Sequence, residues 1–196
     1  MFVLRFKMKQ VKFFLQVALF ISLSVFGVGF ANAGLITLTP NQQQIFVGDT
    51  IGIDVILKDP FEGAFSGDVL SGFGFDLLFD SNNLEFSGRD ISSLWDDDSD
   101  FFADTDVAAS NFPGIDDLGQ SEVFFGTLYF HVLSAGDLSL GIVSDSLSSP
   151  NQGLFYLSDI ADFGTSLTLH VNEVPAPASL AFMVVALGIC GARARR

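Results

Sequence analysis

Apolar side chains recur at every second position in several short runs between residues 35 and 171. In the run 50–57, one face of an extended chain carries four aliphatic residues, Ile51, Ile53, Val55 and Leu57. A period of two indicates a strand with one buried face, because successive side chains of a strand point to opposite sides. Residues 50–57 are therefore predicted to form a half-buried β-strand.

Three further runs repeat the pattern, and each contains a set of residues predicted to share the buried face. These sets are Phe73, Phe75, Leu77 and Phe79 in 72–80, Phe124, Leu128, Phe130 and Val132 in 122–133, and Thr165, Leu167, Leu169 and Val171 in 163–171. Shorter strands are predicted at 35–39, 44–47, 84–87, 138–143 and 154–157. Turn-forming residues separate the runs, and no stretch holds a helical period. The pattern predicts an all-β sandwich of about nine strands, with antiparallel sheets packed face to face.

The segment 89–119 interrupts the pattern with a concentration of aspartates. It is predicted to be an acidic insert without strand structure, and a loop this long in a compact domain is usually functional or mobile. Four aromatic residues of the insert are predicted to hold it against the sandwich, namely Trp95, Phe101, Phe102 and Phe112.

The first 33 residues have the three parts of a secretion signal. Basic residues between Arg5 and Lys12 precede an apolar stretch over 13–30, and Ala31 and Ala33 place small residues at the −3 and −1 positions of a cleavage site. We predict export with cleavage after Ala33. An uncleaved signal anchor is the alternative, because the apolar stretch approaches the ~20 residues that span a bilayer.

Residues 174–196 form a second targeting segment. It begins with an extended, proline-stiffened element formed by Val174, Pro175, Ala176 and Pro177. An apolar stretch over 178–192 follows. The segment ends with a cluster of three arginines, Arg193, Arg195 and Arg196. As a helix, the apolar stretch reaches about 22 Å, short of a ~30 Å hydrocarbon core. The arginines are predicted to hold the end of the tail in the cytoplasm. The tail is either a short membrane anchor or a processed sorting signal.

This order of features resembles the PEP-CTERM sorting signal of Gram-negative bacteria, with Ala176 where the commonest form has glutamate. The resemblance implies recognition by exosortase, a transpeptidase-like membrane enzyme, and an association with exopolysaccharide or biofilm production. It further implies passage through the secretion machinery, a transient anchor in the inner membrane and a final place at the cell surface or in the extracellular matrix.

The middle of the chain, roughly residues 35 to 171, resembles the cohesin-type β-sandwich, a nine-stranded jelly roll related to carbohydrate-binding folds. The resemblance rests on Gly48-Asp49 before an early strand, on the Gly, Phe and Asp pattern of 72–86, and on the late hairpin 126–136. It implies a binding module, since cohesins bind dockerin modules through one sheet face. The chain contains no dockerin and no second cohesin, which leaves open whether a dockerin partner exists.

The charge of the chain argues against one class of partner. The formal net charge is −14, and between residues 34 and 173 only Lys58 and Arg89 oppose all 23 acidic residues. Such a surface repels phosphates and offers no basic stripe, so nucleic-acid binding is not expected. The single cysteine, Cys190, lies in the tail, and the domain is expected to fold without a disulfide.

Alternating aspartates in the insert suggest a metal site. Asp96, Asp98 and Asp100 supply the carboxylate oxygens that Ca²⁺ prefers. An EF-hand loop needs glycine at its sixth position and glutamate at its twelfth, where this chain has Phe101 and Val107. An irregular calcium site and a plain solvated loop both stay open, and no other cofactor is expected.

No catalytic motif stands out, and the chain is predicted not to be an enzyme. The G-x-S-x-G, H-E-x-x-H and phosphate-loop patterns are missing from the sequence. His131 and His170 lie in strand runs and are expected to be ordinary strand residues. Pairs of carboxylates arise by chance among so many acids, so a cryptic glycoside hydrolase is only a second alternative.

We therefore expect an exported surface or matrix module that binds or supports a polysaccharide or protein partner. The predicted organisation is a signal peptide over 1–33, the sandwich over 34–173 and the sorting tail over 174–196. The first alternative is a carbohydrate-binding module, in which Trp95 is the candidate residue for stacking on a sugar ring.

Overall fold

The computed structural model describes residues 34–117 and 119–174, and these form twelve β-strands and a 3₁₀ helix at Ser99–Phe101. The strands are β1 (Leu35–Pro40), β2 (Ile45–Phe46), β3 (Thr50–Lys58), β4 (Val69–Phe79), β5 (Leu84–Ile91), β6 (Asp96–Asp97), β7 (Val107–Asp116), β8 (Glu122–Val132), β9 (Gly136–Val143), β10 (Gly153–Tyr156), β11 (Ile160–Ala161) and β12 (Gly164–Asn172). The predicted signal peptide and the predicted tail helix lie outside the described residues.

Two sheets make up the domain. The first has the order β1-β3-β8-β5, with every neighbour antiparallel. The second is built on β4, which pairs with β7, β10 and β9, and it continues from β9 to β12. The prediction of antiparallel sheets is confirmed for all of these pairs, and the short β2 adds one parallel pairing with the end of β12.

The core lies between the two sheets. The four inward residues predicted for β3 are 0 or 1% exposed. Phe73 of β4 stacks on Phe125 of β8 with 4.0 Å between ring centroids, and Phe79 meets Phe130 edge-on at 5.4 Å. These aromatic pairs join one sheet to the other, so they hold the sandwich closed.

One predicted face was wrong by a residue at the start of β8. Phe124 is 40% exposed, whereas Phe125 is 1% exposed and lies in the core. The cause is an irregularity in the register with β3, where Val55 pairs with Gly126 and the next residue pairs with Phe124. Because this bulge adds one residue to β8, the side chains of β8 that precede it in sequence face the opposite way from the predicted alternation.

The acidic insert is also more ordered than predicted. Its second half contains β7, which pairs along β4 over Val69–Phe75, and its first half contains β6 and the 3₁₀ helix. Between Ser110 and Ile115 the register with β4 jumps, and the chain loops outward over 111–114. The insert therefore belongs to the second sheet rather than forming a free loop.

A loop over 144–152 divides two strands of the second sheet. It separates β9, which pairs with residues 76–79 of β4, from β10, which pairs with residues 70–74. The neighbouring β12 and β11 are divided in the same way, since they pair with β9 and β10 respectively.

Candidate functional site

The loop 144–152 lies against the outer face of β4. A Cβ atom built on Gly74 would lie 1.9 Å from the carbonyl oxygen of Asn151, and one on Gly72 would lie 2.9 Å from that of Ala109. Both glycines alternate with the inward-facing phenylalanines of β4. The absence of side chains at these two positions lets other parts of the backbone approach the outer face closely.

Gln152 fixes this loop to the sheet. Its side chain is buried, and its Nε2 donates to Oδ2 of Asp76 at 2.8 Å and to the carbonyl of Asp104 at 3.0 Å. Its Oε1 accepts the backbone N–H of Asp145 at 2.9 Å. Each lost bond would leave a buried polar group without a partner, so the loop is held in one position.

Two exposed carboxylates accept hydrogen bonds from residues of the loop. Asp104 accepts from the hydroxyl of Ser149 at 2.7 Å and from Nδ2 of Asn151 at 3.1 Å, and these hydrogen bonds lower the pKa of Asp104. Asp145 accepts from the hydroxyl and the N–H of Ser148, which lower the pKa of Asp145. Both groups therefore keep their negative charge to a lower pH than an ordinary aspartate.

A groove of about 250 Å³ opens beside the loop on the outer face of the second sheet. Strands β4, β7 and β10 contribute to its lining together with residues 150–151 of the loop. Apart from Phe73, whose side chain is buried in the core, the polar and aromatic side chains among its lining residues are Ser71, Asp98, Ser110, Asn151, Phe102 and Phe155. The groove thus combines one carboxylate, three neutral polar side chains and two half-buried aromatic rings.

The polar side chains of the groove are hydrogen-bonded within the protein. The hydroxyl of Ser71 donates to the carbonyl of Phe155 at 2.9 Å, and the hydroxyl of Ser110 donates to Oδ2 of Asp98. These bonds fix the lining before any ligand arrives.

Two apolar side chains enlarge this surface. Leu78 of β4 is 53% exposed, next to the inward-facing Leu77 and Phe79, and Leu147 at the tip of the loop is 96% exposed. Leu78 points to the outer face of β4, and Leu147 belongs to the loop that crosses this face at Asn151. We call the groove together with Leu78 and Leu147 the outer surface of the second sheet.

The basic side chains of the described domain are already paired. Arg89 donates from Nε to Asp97 at 2.9 Å and from Nη2 to Asp100 at 2.7 Å, and Lys58 lies 3.2 Å from Glu122. Asp98 has no basic partner among the described residues, so its charge is not neutralised by an ion pair.

The hydrogen bonds around Asp97 affect its ionisation. Partial burial would raise the pKa of Asp97, but hydrogen bonds from Ser99 and Arg89 outweigh it and lower the pKa. Asp97 is therefore ionised at neutral pH and stabilises the start of the insert through its contact with β5.

The three aspartates predicted to bind calcium have different surroundings. Asp100 pairs with Arg89, Asp98 accepts from Ser110, and Asp96 is exposed in β6. Over residues 34–117 and 119–174, no three His, Cys, Asp or Glu side chains are grouped as metal ligands.

Trp95, the predicted sugar-stacking residue, lies in the core. It is 5% exposed, its ring meets Phe73 and Phe125 edge-on, and its Nε1 donates to the carbonyl of Phe124 at 3.2 Å. Neither face of the indole is available to a sugar in this conformation. Trp95 instead anchors the insert, as predicted, whereas Phe101 and Phe112 are 80% and 98% exposed and do not.

The two histidines lie on strands without a nucleophile. Nδ1 of His170 on β12 lies 2.8 Å from Oδ1 of Asp137 on β9, and both side chains are largely exposed. In the described part of the chain, no hydroxyl is hydrogen-bonded to His170 or to His131. A histidine–carboxylate pair alone lacks the group that attacks a substrate in nucleophilic catalysis.

The sorting motif is described only at its first residue. Val174 is 61% exposed, and the remaining motif residues, Pro175 to Pro177 and the three arginines, lie outside the described residues, as do Ala31 and Ala33. The described residues contain no helix with the length and apolarity needed to cross a membrane.

Comparison with known proteins bears on the fold. No family model and no curated protein matches this sequence. The cohesin module of a family 33 glycoside hydrolase from Clostridium perfringens ATCC13124 superposes with a TM-score of 0.50 at 10% identity, over 73% of this chain and 99% of that module. The seventh ScaB type I cohesin of Pseudobacteroides cellulosolvens gives a TM-score of 0.43 at 11% identity, over 72% of this chain and 95% of that one. The likeness to the Clostridium perfringens module shows that the described domain has a cohesin-like β-sandwich fold.

Proposed function

We propose that this protein is an exported, non-catalytic binding module that works at the cell surface or in the extracellular matrix. It leaves the cell through its N-terminal signal, and exosortase processes its C-terminal tail. Once outside, it binds a partner through the outer surface of the second sheet.

The observation that carries the binding role is the construction of that surface. Gln152 and Asp104 hold the loop 144–152 over β4. The loop exposes Leu147, and its residues 150–151 line an already hydrogen-bonded groove. A rigid surface with exposed apolar side chains beside fixed polar groups is suited to binding, because little conformational entropy is lost when the partner arrives.

The targeting segments support the location. One chain carries both the three-part signal that ends at Ala33 and the C-terminal segment 174–196, with its proline element, apolar stretch and arginine cluster. The acidic domain between them suits an exterior rich in salt and divalent cations.

The sorting proposal is tested by the intact mass and location of the mature protein, expressed in a bacterium with and without exosortase. We expect a mass that begins at Gly34 and ends near 174–177, found only when exosortase is present. A protein that retains Arg196 in the membrane fraction of both strains would show that the tail is a plain anchor.

The binding proposal is tested by adding the purified mature protein to washed cells that lack its gene. We expect Leu78→Asp to reduce the bound fraction, because it puts a charge on the outer surface of the second sheet. Leu35→Asp is the matched control, since Leu35 is 64% exposed on β1 of the first sheet. Equal binding of both variants and the wild type would exclude this surface as the contact.

A further inference from the structure

We infer that the groove beside the loop 144–152 binds a lysine or arginine side chain of a protein partner. The inference rests on the proposed function, because it names the kind of partner that the outer surface of the second sheet takes. The hydrogen bonding, the aromatic lining and the charge of the groove each support it.

The groove leaves mainly hydrogen-bond acceptors free for a ligand. Ser71, Ser110 and Asn151 each already donate a hydrogen bond within the protein, to Phe155, Asp98 and Asp104 respectively. What these side chains and Asp98 leave for a ligand is mainly acceptor oxygens. An ammonium or guanidinium group consists only of donors and matches such a lining.

Two aromatic rings also line the groove. Phe102 and Phe155 both border the groove, and an edge carbon of the Phe155 ring lies 3.5 Å from a Cβ atom built on Gly72. The ring therefore lies over the glycine on the outer face of the sheet. Aromatic faces attract cations through their quadrupole, and they also pack against the methylene stem of a lysine or arginine.

The charge of the groove also favours a cation. Asp98 carries a carboxylate at the groove without a basic partner, and the two basic residues of the described domain are engaged elsewhere, Arg89 with Asp97 and Asp100 and Lys58 with Glu122. A cation from outside is therefore the natural partner for Asp98, and the acidic domain around it draws basic segments toward the groove.

A sugar fits the same groove less well. Each sugar hydroxyl both donates and accepts, so a sugar needs donors from its site as well as acceptors. The hydroxyl donors of Ser71 and Ser110 are already used within the protein. Of the side-chain donors at these residues, only the second N–H of Asn151 is left, so a sugar would meet few donors unless it broke the hydrogen bonds that fix the lining.

The test uses protein purified from cells that express the full chain, and blocked pentapeptides Gly-Ser-X-Ser-Gly in which X is lysine, arginine or norleucine. Binding is followed by NMR through the amide signals of Gly72, Ser110 and Asn151. We expect the lysine and arginine peptides to shift these signals, and the uncharged norleucine peptide to bind at least about tenfold more weakly. Equal binding of the norleucine peptide would overturn the proposal.

Variants separate the groove from general attraction to an acidic domain. Asp98→Asn keeps an acceptor for Ser110 and removes the charge, and we expect it to weaken binding of the lysine peptide about fivefold. Phe102→Leu keeps an apolar wall but removes the ring, and should also weaken binding. Glu85→Gln removes the same charge from an exposed position on β5 and should change the affinity less than about twofold. An equal loss in Glu85→Gln and Asp98→Asn would overturn the proposal, as would shifts of the groove signals by methyl glucoside but not by the peptides.

The two proposals fail separately. If Leu78→Asp releases the protein from cells but no basic peptide binds, the binding surface stands and the basic partner is wrong. If the basic peptides bind at the groove but Leu78→Asp has no effect on cells, the groove stands and the wider surface is not the contact.

Discussion

At the scale of single residues, Gly74 is a position with no room for a side chain. It lies on the outer face of β4, where the backbone of Asn151 crosses directly over it. The surrounding hydrogen bonds from Gln152 hold that backbone in place. A methyl group at Gly74 must therefore displace the loop or the strand.

We predict that Gly74→Ala lowers the free energy of unfolding by about 1–3 kcal/mol, the usual cost of overpacking. Gly164→Ala on β12 is the control, because its Cβ would have no neighbour closer than 3.8 Å. That control should change stability by less than about 1 kcal/mol. Urea unfolding of both variants gives the comparison, and an equal effect would show that the loop does not press on β4.

Trp95 offers a second test at this scale, because it is the single tryptophan of the chain. Its emission should be blue-shifted in the folded protein and should move to the red on unfolding, with no quenching by sugars. Trp95→Ala should cost about 3–5 kcal/mol of stability, as for other buried aromatic residues. If the folded protein instead shows a red-shifted emission that added polysaccharide quenches, Trp95 is exposed and stacks on sugar rings.

At the scale of elements, sequence patterns identify those strands that have one apolar, buried face and one polar, exposed face. The alternation in 50–57 and 72–80 predicts β3 and β4 well, because their inward residues are large and apolar. In β7, Val107, Ala108 and Ala109 are buried in succession, so both faces of the strand are covered by other parts of the protein. A strand covered in this way shows no alternation, so the sequence suggested a loop.

The groove could likewise be predicted only in part from the sequence. Gly72 and Gly74, opposite two inward phenylalanines, are a local sign that something approaches β4. What approaches is the loop 144–152, and the groove also needs Asp98 and Phe102 from the insert. Nothing local in the sequence links these segments, because their meeting depends on how β9 and β10 divide along β4.

The contact between β5 and the insert gives a prediction for Arg89. Arg89→Gln removes the ion pairs with Asp97 and Asp100, and should lower the free energy of unfolding at pH 7 by about 1 kcal/mol. Lys58→Gln is matched in charge, but its pair with Glu122 is exposed on both sides, so it should cost less than about 0.5 kcal/mol. Chemical unfolding of the two variants measures the difference, and equal losses would assign the effect to net charge alone.

The same contact predicts a dependence on pH. The pKa of Asp97 is lowered in the folded protein, so its stabilisation is present above the ordinary aspartate pKa of about 4 and is lost as the pH falls through the lowered value. The advantage of the wild type over Arg89→Gln should therefore shrink between pH 5 and very acidic solution. An advantage that stays constant with pH would mean that Arg89 stabilises the insert by packing rather than by charge.

At the scale of the whole molecule, the excess of negative charge opposes folding and favours the binding of a basic partner. Between residues 34 and 173, two basic residues face 23 acidic ones. Repulsion among so many like charges destabilises the compact state, and the same field attracts a basic partner to the outer surface of the second sheet. Screening by salt must weaken both effects.

We therefore predict that raising NaCl from about 10 mM to about 300 mM, which shortens the Debye length several-fold, raises the melting temperature by about 2–4 °C. The affinity for the lysine peptide should fall over the same series, while sucrose, which is uncharged, should leave that affinity unchanged. A melting temperature that stays constant or falls would show that the acidic charges are already balanced within the fold. An affinity that rises with salt would mean that apolar contact, through side chains such as Leu78 and Leu147, outweighs charge at this surface.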